Sequence, residues 1–372
     1  MRSNLIYLAI AIFFFACSSG KAPEETNPLA SSVDSVVRSV ADTARFNGNV
    51  LVSKSGKVIC QKSVGYANFD TKALLNDSSV FELASVSKQF TSMCIMILQE
   101  RGKLRYSDDV RIFIPELPYQ GMTIRHLLTH TSGIPDYMEL FSKDWNPKEI
   151  AFNEDVIELL VKKKPAILFK PGDKWEYSNT AFVLLASVIE RVSGMPFGEF
   201  LAQNIFTPLD MQHSRTYNTR RSKGEIIPNY AYGFVYHDAL KQFILPDSLK
   251  ELSFVITLDG IQGDGIVNTT TSDLFKWDQA LYTEKLVKQA TLEEAFTPSK
   301  LNNDSIINYG FGWGLSGDSV SGKIVSHGGG WPGYNTFIVR FIDKNNCIIV
   351  LSNNSGFGLE TLRAKLAELL ND

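Results

Sequence analysis

The chain has 372 residues, is 44% hydrophobic and 21% charged, and carries a formal net charge of −3. This is globular composition, with enough length for one large domain or two lobes that share a cleft. A near-neutral chain without a basic block gives nucleic acid nothing to bind, so no nucleic-acid partner is expected.

The first element is an apolar run from Leu5 to Ala16 that follows Arg2. It is shorter than the roughly 20 residues of a membrane-spanning helix and has the length of a secretory h-region. Residues 1–16 therefore read as a signal peptide. Ala16-Cys17 resembles the bacterial lipoprotein signal, in which the cysteine becomes the lipidated first residue; Phe14 and Phe15 are bulkier than that pattern's usual residues. Residues 17–29, with "SSGKAPEETNP", are small and polar and read as a tether. Export to the bacterial cell envelope, with membrane attachment through a lipid on Cys17, is the localisation these features imply. The other cysteines are Cys60, Cys94 and Cys347. Each lies in an apolar stretch outside any CxxC or CxH spacing and reads as a small hydrophobe, although an exported chain could also pair two of them.

"LASSVDSVVRSV" places Val33, Val36, Val37 and Val40 on one face of a helix. "NVLVSKSGKVICQKSVGYA" predicts a hairpin turning at Ser55-Gly56. Helical patterns follow: one from Ser85 toward Gly102, a short one at "TIRHLLTH", an almost wholly apolar one at "TAFVLLASVIERVSG", and one opened by capping residues at "TTTSDLFKWDQAL". β-rich runs return at "GKIVSHGG", "NTFIVRFI" and "CIIVLSNN", before a final amphipathic helix carrying Leu359, Leu362, Leu366 and Leu369. Strands at both ends and helices between them predict an α+β fold. Both chain ends build one antiparallel sheet with flanking helices, and the middle forms a mostly helical second lobe. The predicted domain is 30–372, with 30–84 and 260–372 in the α/β lobe and 85–259 in the helical lobe.

Three segments carry chemistry. In "SVSK", Ser85 and Lys88 stand three residues apart at a helix start, so the amine can reach the hydroxyl. Such a lysine can take the serine proton, and the helix start offers N–H groups to an oxyanion. In "KPGDKWEYSNTAFVLL", Tyr177 can relay a proton and Asn179 can both donate and accept hydrogen bonds. In "SHGGGWPGY", His327 precedes Gly328, Gly329 and Gly330, glycines that let another backbone approach and could supply a second oxyanion N–H.

In this order the three segments resemble the motifs of the penicillin-recognising serine hydrolases, the group of class C β-lactamases, DD-carboxypeptidases, D-aminopeptidases and their esterase relatives. The matching positions are Ser85/Lys88 for Ser-x-x-Lys, Tyr177/Asn179 for Tyr-x-Asn, and His327/Gly329 for the Lys-Thr-Gly or His-x-Gly motif. "TIRHLLTHTSGIPDY" and "GDGIVNTTTSDLFKW" are similar to the same family, and the likeness covers roughly residues 30–370. The resemblance implies a serine hydrolase that forms an acyl-enzyme on a small-molecule or short-peptide ester or amide. Ser85, Lys88 and Tyr177 would be catalytic, Asn179, His327, Gly329 and Gly330 would bind substrate or the oxyanion, and no cofactor or metal is needed. One departure matters. A permanently cationic lysine is replaced by His327, mostly neutral at pH 7, and Gly328 removes a hydroxyl. Both weaken a carboxylate pocket, and favour an esterase, a D-amino-acid peptidase or amidase, or a weak β-lactamase over a potent one.

The same residues bear on three other readings. His126 and His130 have the spacing of zinc ligands, but Leu127 stands where a zinc protease carries glutamate. A Ser-His-Asp hydrolase using His327 predicts a Gly-x-Ser-x-Gly elbow, and none is present. A catalytically poor penicillin-binding or sensor protein of the cell envelope is the remaining alternative.

Overall fold

The central strands of a six-stranded sheet alternate their side chains between two separate cores, and this alternation places the site. The computed structural model describes residues 28–216 and 227–371. The expected signal peptide, Cys17 and nearly all of the tether lie outside the described residues. Helix α1 (Pro28–Ala44) leads into the hairpin β1 (Gly48–Lys54) and β2 (Lys57–Val64). Near the other end come β3 (Gly314–Asp318), β4 (Gly322–Trp331), β5 (Tyr334–Phe341) and β6 (Asn346–Ser352), then the closing helix Leu359–Asn371.

The sheet order is β3-β4-β5-β6-β1-β2. The two ends of the chain meet where β1 pairs antiparallel with β6, with Val50 opposite Val350 and Leu51 opposite Ile349. On one face, Val50, Val52, Phe337, Ile348 and Val350 pack against Val33, Val37 and Val40 of α1 and Leu362 and Leu366 of the closing helix. The opposite face carries Leu51, Val325, Ile338, Ile349 and Leu351, and these join the larger core made by the middle of the chain. Period-2 alternation thus feeds both faces, and burying each such side chain contributes about 1.5–3 kcal/mol. The α+β architecture expected from the sequence is the one observed.

Helix α2 (Lys88–Glu100) is buried from Lys88 to Leu98. Helix α3 (Asn179–Ser193) is capped by the Ser178 hydroxyl, which accepts from the Ala181 N–H, and ends at Gly194 with φ +71°. Helix α4 (Thr271–Ala280) is capped by Thr270. Helix α4 packs on the inner face of the sheet against β1 and β6, α2 packs against α3, and all three join one core. Beneath the strands, Arg340 of β5 meets Asp278 of α4, both fully buried.

Two details differ from the pattern reading. The strand carrying His327 does not end at Gly329, where the β-rich run "GKIVSHGG" ends; β4 continues to Trp331, because β5 pairs each residue, Gly328 with Phe337 and Gly330 with Asn335. Cross-strand hydrogen bonds override the poor strand propensity of glycine. Ser85 also lies just ahead of the α-helix, in a 3₁₀ turn over Ala84–Ser87. With three residues per turn, positions i and i+3 line up directly, so the turn aims Lys88 at Ser85 better than an α-helical start would.

Cys60, Cys94 and Cys347 are free thiols, the last two buried.

Candidate active site

The turn that carries Ser85 is held from both sides. Ala84 has φ +48°, the left-handed region, which costs a residue with a Cβ about 1–2 kcal/mol. Its neighbour Leu83 is fixed at both polar groups: its N–H donates to the Val267 carbonyl (2.8 Å), and its own carbonyl accepts from the Thr336 hydroxyl (2.7 Å). Ser87 Oγ accepts from the Val267 N–H at 3.1 Å. Gly329 of β4 lies directly against this turn; a Cβ there would collide with the Leu83 carbonyl and sit 3.1 Å from the Ser85 nitrogen. Gly330, one residue on, has open space at its Cβ position and lines the cavity.

Lys88 is fully buried. Its Nζ lies 3.0 Å from Ser85 Oγ, 2.9 Å from Asn179 Oδ1 and 2.7 Å from the Asp264 carbonyl oxygen. Asn179 Oδ1 and the carbonyl can only accept. A neutral amine would give them its two hydrogens and keep its lone pair for the Ser85 hydroxyl; an ammonium would donate to all three. The same nest therefore suits both protonation states. Asn179 is oriented by Asp136, whose Oδ2 accepts from both its main-chain and side-chain N–H groups at 3.1 Å.

Tyr177 completes the group. Its ring centroid is 4.9 Å from Lys88 Nζ, and its hydroxyl is buried without a hydrogen bond to any of the described residues. Ser85, Tyr177, Asn179 and Gly330 line one cavity of about 490 Å³. Asp264 lines it as well; its carboxyl accepts from Tyr137 Oη at 3.1 Å and burial pushes its pKa up. A second cavity of about 430 Å³ shares Met138, Phe254 and Leu258 with the first and is walled by Phe141, Trp145 and Pro147.

The structure brings Ser85, Lys88, Tyr177, Asn179 and Gly330 together, with Gly329 behind Ser85. His327 departs from the expectation that its ring meets substrate. Its Nε2 is 3.0 Å from Tyr309 Oη and its Nδ1 2.6 Å from the Gly328 carbonyl, so both nitrogens face protein. Burial, with the Lys88 charge added, lowers its pKa to about 4. His130, buried behind Tyr177, is lowered well below the usual value for the same reasons. The two candidate zinc ligands diverge: His126 Nδ1 accepts from the Thr123 N–H, while His130 Nε2 meets Tyr309.

These buried neutral histidines make stability depend on pH. An unfolded His327 takes a proton near pH 6.5, and the folded one refuses it until about pH 4. Its contribution is complete above the unfolded pKa and is lost as pH falls through that window, about 3 kcal/mol in all. Urea midpoints should be level above neutrality and fall steadily between those two pH values, and His327→Asn should flatten part of the fall. A midpoint unchanged down to pH 4 would show that the imidazole is hydrated.

Sequence reasoning missed Asp136, Tyr137, Asp264 and Tyr309. Asp136, Tyr137 and Asp264 stand inside "GIPDY" and "GDGIVN", stretches quoted for their likeness to the family but given no role.

A fold with this sheet, this helical lobe and a Ser-Lys-Tyr-Asn crevice is that of the penicillin-binding protein and β-lactamase superfamily of serine hydrolases. The family model described as Beta-lactamase matches residues 33–371, and the chain belongs to that family. Penicillin-binding protein 4* of Bacillus subtilis (strain 168) is 47% identical over 321 residues, 86% of this chain and 71% of that protein. Among solved structures, the penicillin binding protein from Bacillus halodurans superposes with a TM-score of 0.77 at 25% identity, over 90% of this chain and 98% of the other. The D-amino acid amidase from Ochrobactrum anthropi SV3, complexed with D-phenylalanine, shares the fold with a TM-score of 0.75 at 21% identity, over 92% and 99% of the two chains.

Proposed function

We propose that the protein hydrolyses an ester or amide through an acyl-enzyme on Ser85, at the bacterial cell envelope. The observation that carries this reading is the Lys88 nest: a fully buried amine whose two fixed acceptors leave its third position for Ser85 Oγ. Ser85 Oγ attacks the carbonyl carbon and its proton passes to Lys88. The tetrahedral oxyanion is met by the N–H groups of Ser85 and Gly330. Collapse breaks the ester or amide bond. The leaving group takes the proton back from Lys88 directly or through the Tyr177 hydroxyl, which has no competing protein partner. Water then attacks the acyl carbon, the same groups carry its proton, and Ser85 is regenerated.

The site favours substrates without a carboxylate beside the scissile bond. His327 turns its nitrogens inward, Gly328 has no hydroxyl, and the cavity has no arginine, lysine or histidine among its described lining residues. The family's penicillin-binding relatives make slow acylation by β-lactams the competing reading, and the fold shared with a D-amino acid amidase keeps amides within the class. The apolar second cavity offers room for a bulky group on the substrate.

The test compares the protein with Ser85→Ala on a chromogenic ester and a D-amino acid anilide, beside labelling by a fluorophosphonate and a fluorescent penicillin. Turnover and fluorophosphonate labelling that vanish in Ser85→Ala are the expected result. Penicillin labelling without turnover of either substrate would replace the hydrolase with a penicillin-binding or sensor protein.

A further inference from the structure

Behind Tyr177, three buried side chains form a hydrogen-bond path that can run in only one direction. His130 is fully buried, Tyr309 is 7% exposed and His327 8%. The Ser178 main-chain N–H donates to His130 Nδ1 at 3.1 Å, so that nitrogen carries no hydrogen. The hydrogen of the neutral ring is then on Nε2, 3.2 Å from Tyr309 Oη. Tyr309 accepts it and has one hydrogen left, which goes to His327 Nε2 at 3.0 Å. His327 must hold its own hydrogen on Nδ1, where it donates to the Gly328 carbonyl at 2.6 Å. A backbone donor fixes one end and a backbone acceptor the other. An added proton on either ring would set two donors against each other.

The ends of this path belong to the two walls of the crevice. Ser178 lies between Tyr177 and Asn179, and Gly328 is next to Gly329, which backs the Ser85 turn. The Tyr177 ring also rests on His130, with centroids 4.2 Å apart and planes 32° apart. We propose that His130, Tyr309 and His327 are positioning residues: a one-way hydrogen-bonded strut that fixes the gap between Tyr177 and the glycine strand and holds His327 as its Nδ1–H tautomer. Charge and burial act in the same sense. Desolvation, then the facing Lys88 charge, keeps both rings neutral, and burial raises Tyr309 well above the usual phenol so that it stays a donor.

The kinetic part of this proposal rests on the hydrolase reading; the tautomer part does not, so the two can fail separately. The protein labelled with ¹⁵N in its histidine rings is examined by long-range proton–nitrogen correlation around neutral pH, with signals assigned from His130→Gln and His327→Asn. The expected spectrum has His327 as Nδ1–H and His130 as Nε2–H, with no titration near neutrality. Either ring as the opposite tautomer, or as an imidazolium at pH 7, overturns the strut whatever the activity. Tyr309→Phe removes both central bonds without changing ring volume. It should scramble the His327 tautomer and lower kcat for the chromogenic ester about tenfold to a hundredfold, with KM within about twofold. An unchanged kcat with the tautomer scrambled would reduce the strut to a packing feature and overturn the positioning role. Should Tyr309→Phe not fold, the wild-type spectrum still decides the tautomer, and His327→Asn carries the kinetic comparison.

Discussion

Lys88→Met is expected to lower kcat/KM for a chromogenic ester by about 10³-fold while leaving the folded protein as stable as the wild type or more so. The first half follows from the nest around Nζ, where the Ser85 hydroxyl has no other base at hydrogen-bond distance among the described residues. General-base removal costs about 10²–10⁴-fold, and residues that act as a unit lose most of their effect with the first deletion. The second half follows from burial. A fully buried amine is held at the expense of its hydration, and methionine fills nearly the same volume without that cost. Methionine also strands Asn179 Oδ1 and the Asp264 carbonyl, which offsets part of the gain. Single-turnover acylation and urea midpoints on the same preparation separate the two effects. A variant within tenfold of wild-type acylation would remove Lys88 from the proton path.

Arg340→Met should cost about 3–5 kcal/mol of folding stability. Arg340 Nε donates to Asp278 Oδ1 at 2.5 Å and its Nη2 to the Asp278 carbonyl at 3.0 Å, with both side chains fully buried. The guanidinium also lies 4.8 Å from the Tyr282 ring centroid. Removing the arginine leaves the carboxylate of α4 beneath the sheet without its counter-charge. The expected fall in Tm is about 5 °C. Asp278→Asn should behave similarly, and Asp278→Leu combined with Arg340→Met should recover much of the loss, since the double change strands no charge. Single variants within about 1 kcal/mol of the wild type would mean that water reaches the pair.

The elements that the sequence displays are those with strong period. The terminal hairpin, the valine face of α1 and the apolar α3 all formed where alternation or helical spacing put them. The glycine run hid the end of β4, because pairing with β5 is a long-range fact that composition does not carry. At the site, Ser85 and Lys88 are local neighbours, so their meeting was legible from spacing. Tyr177 and Asn179 came from motif order. The path behind them was not legible: His130 and Tyr309 touch across 179 residues of chain, and no local pattern marks either as a partner of the other. His327 shows a subtler limit. It lies on the strand beside the Ser85 turn, but the direction of its ring depends on Tyr309, and ring direction decides whether an imidazole serves substrate or scaffold.

The contact of Gly329 with the turn at Ala84 and Ser85 bears on how such a molecule can diversify. The Ser85 oxygen sits on a turn wedged between β4 and the strand carrying Val267, so its place depends on the lack of a side chain at Gly329. The facing wall, with Met138, Phe254 and Leu258, belongs to other segments and can be remodelled without moving that oxygen. On the proposed hydrolase reading, substitutions in that wall would change the preferred substrate and leave Ser85 where it is.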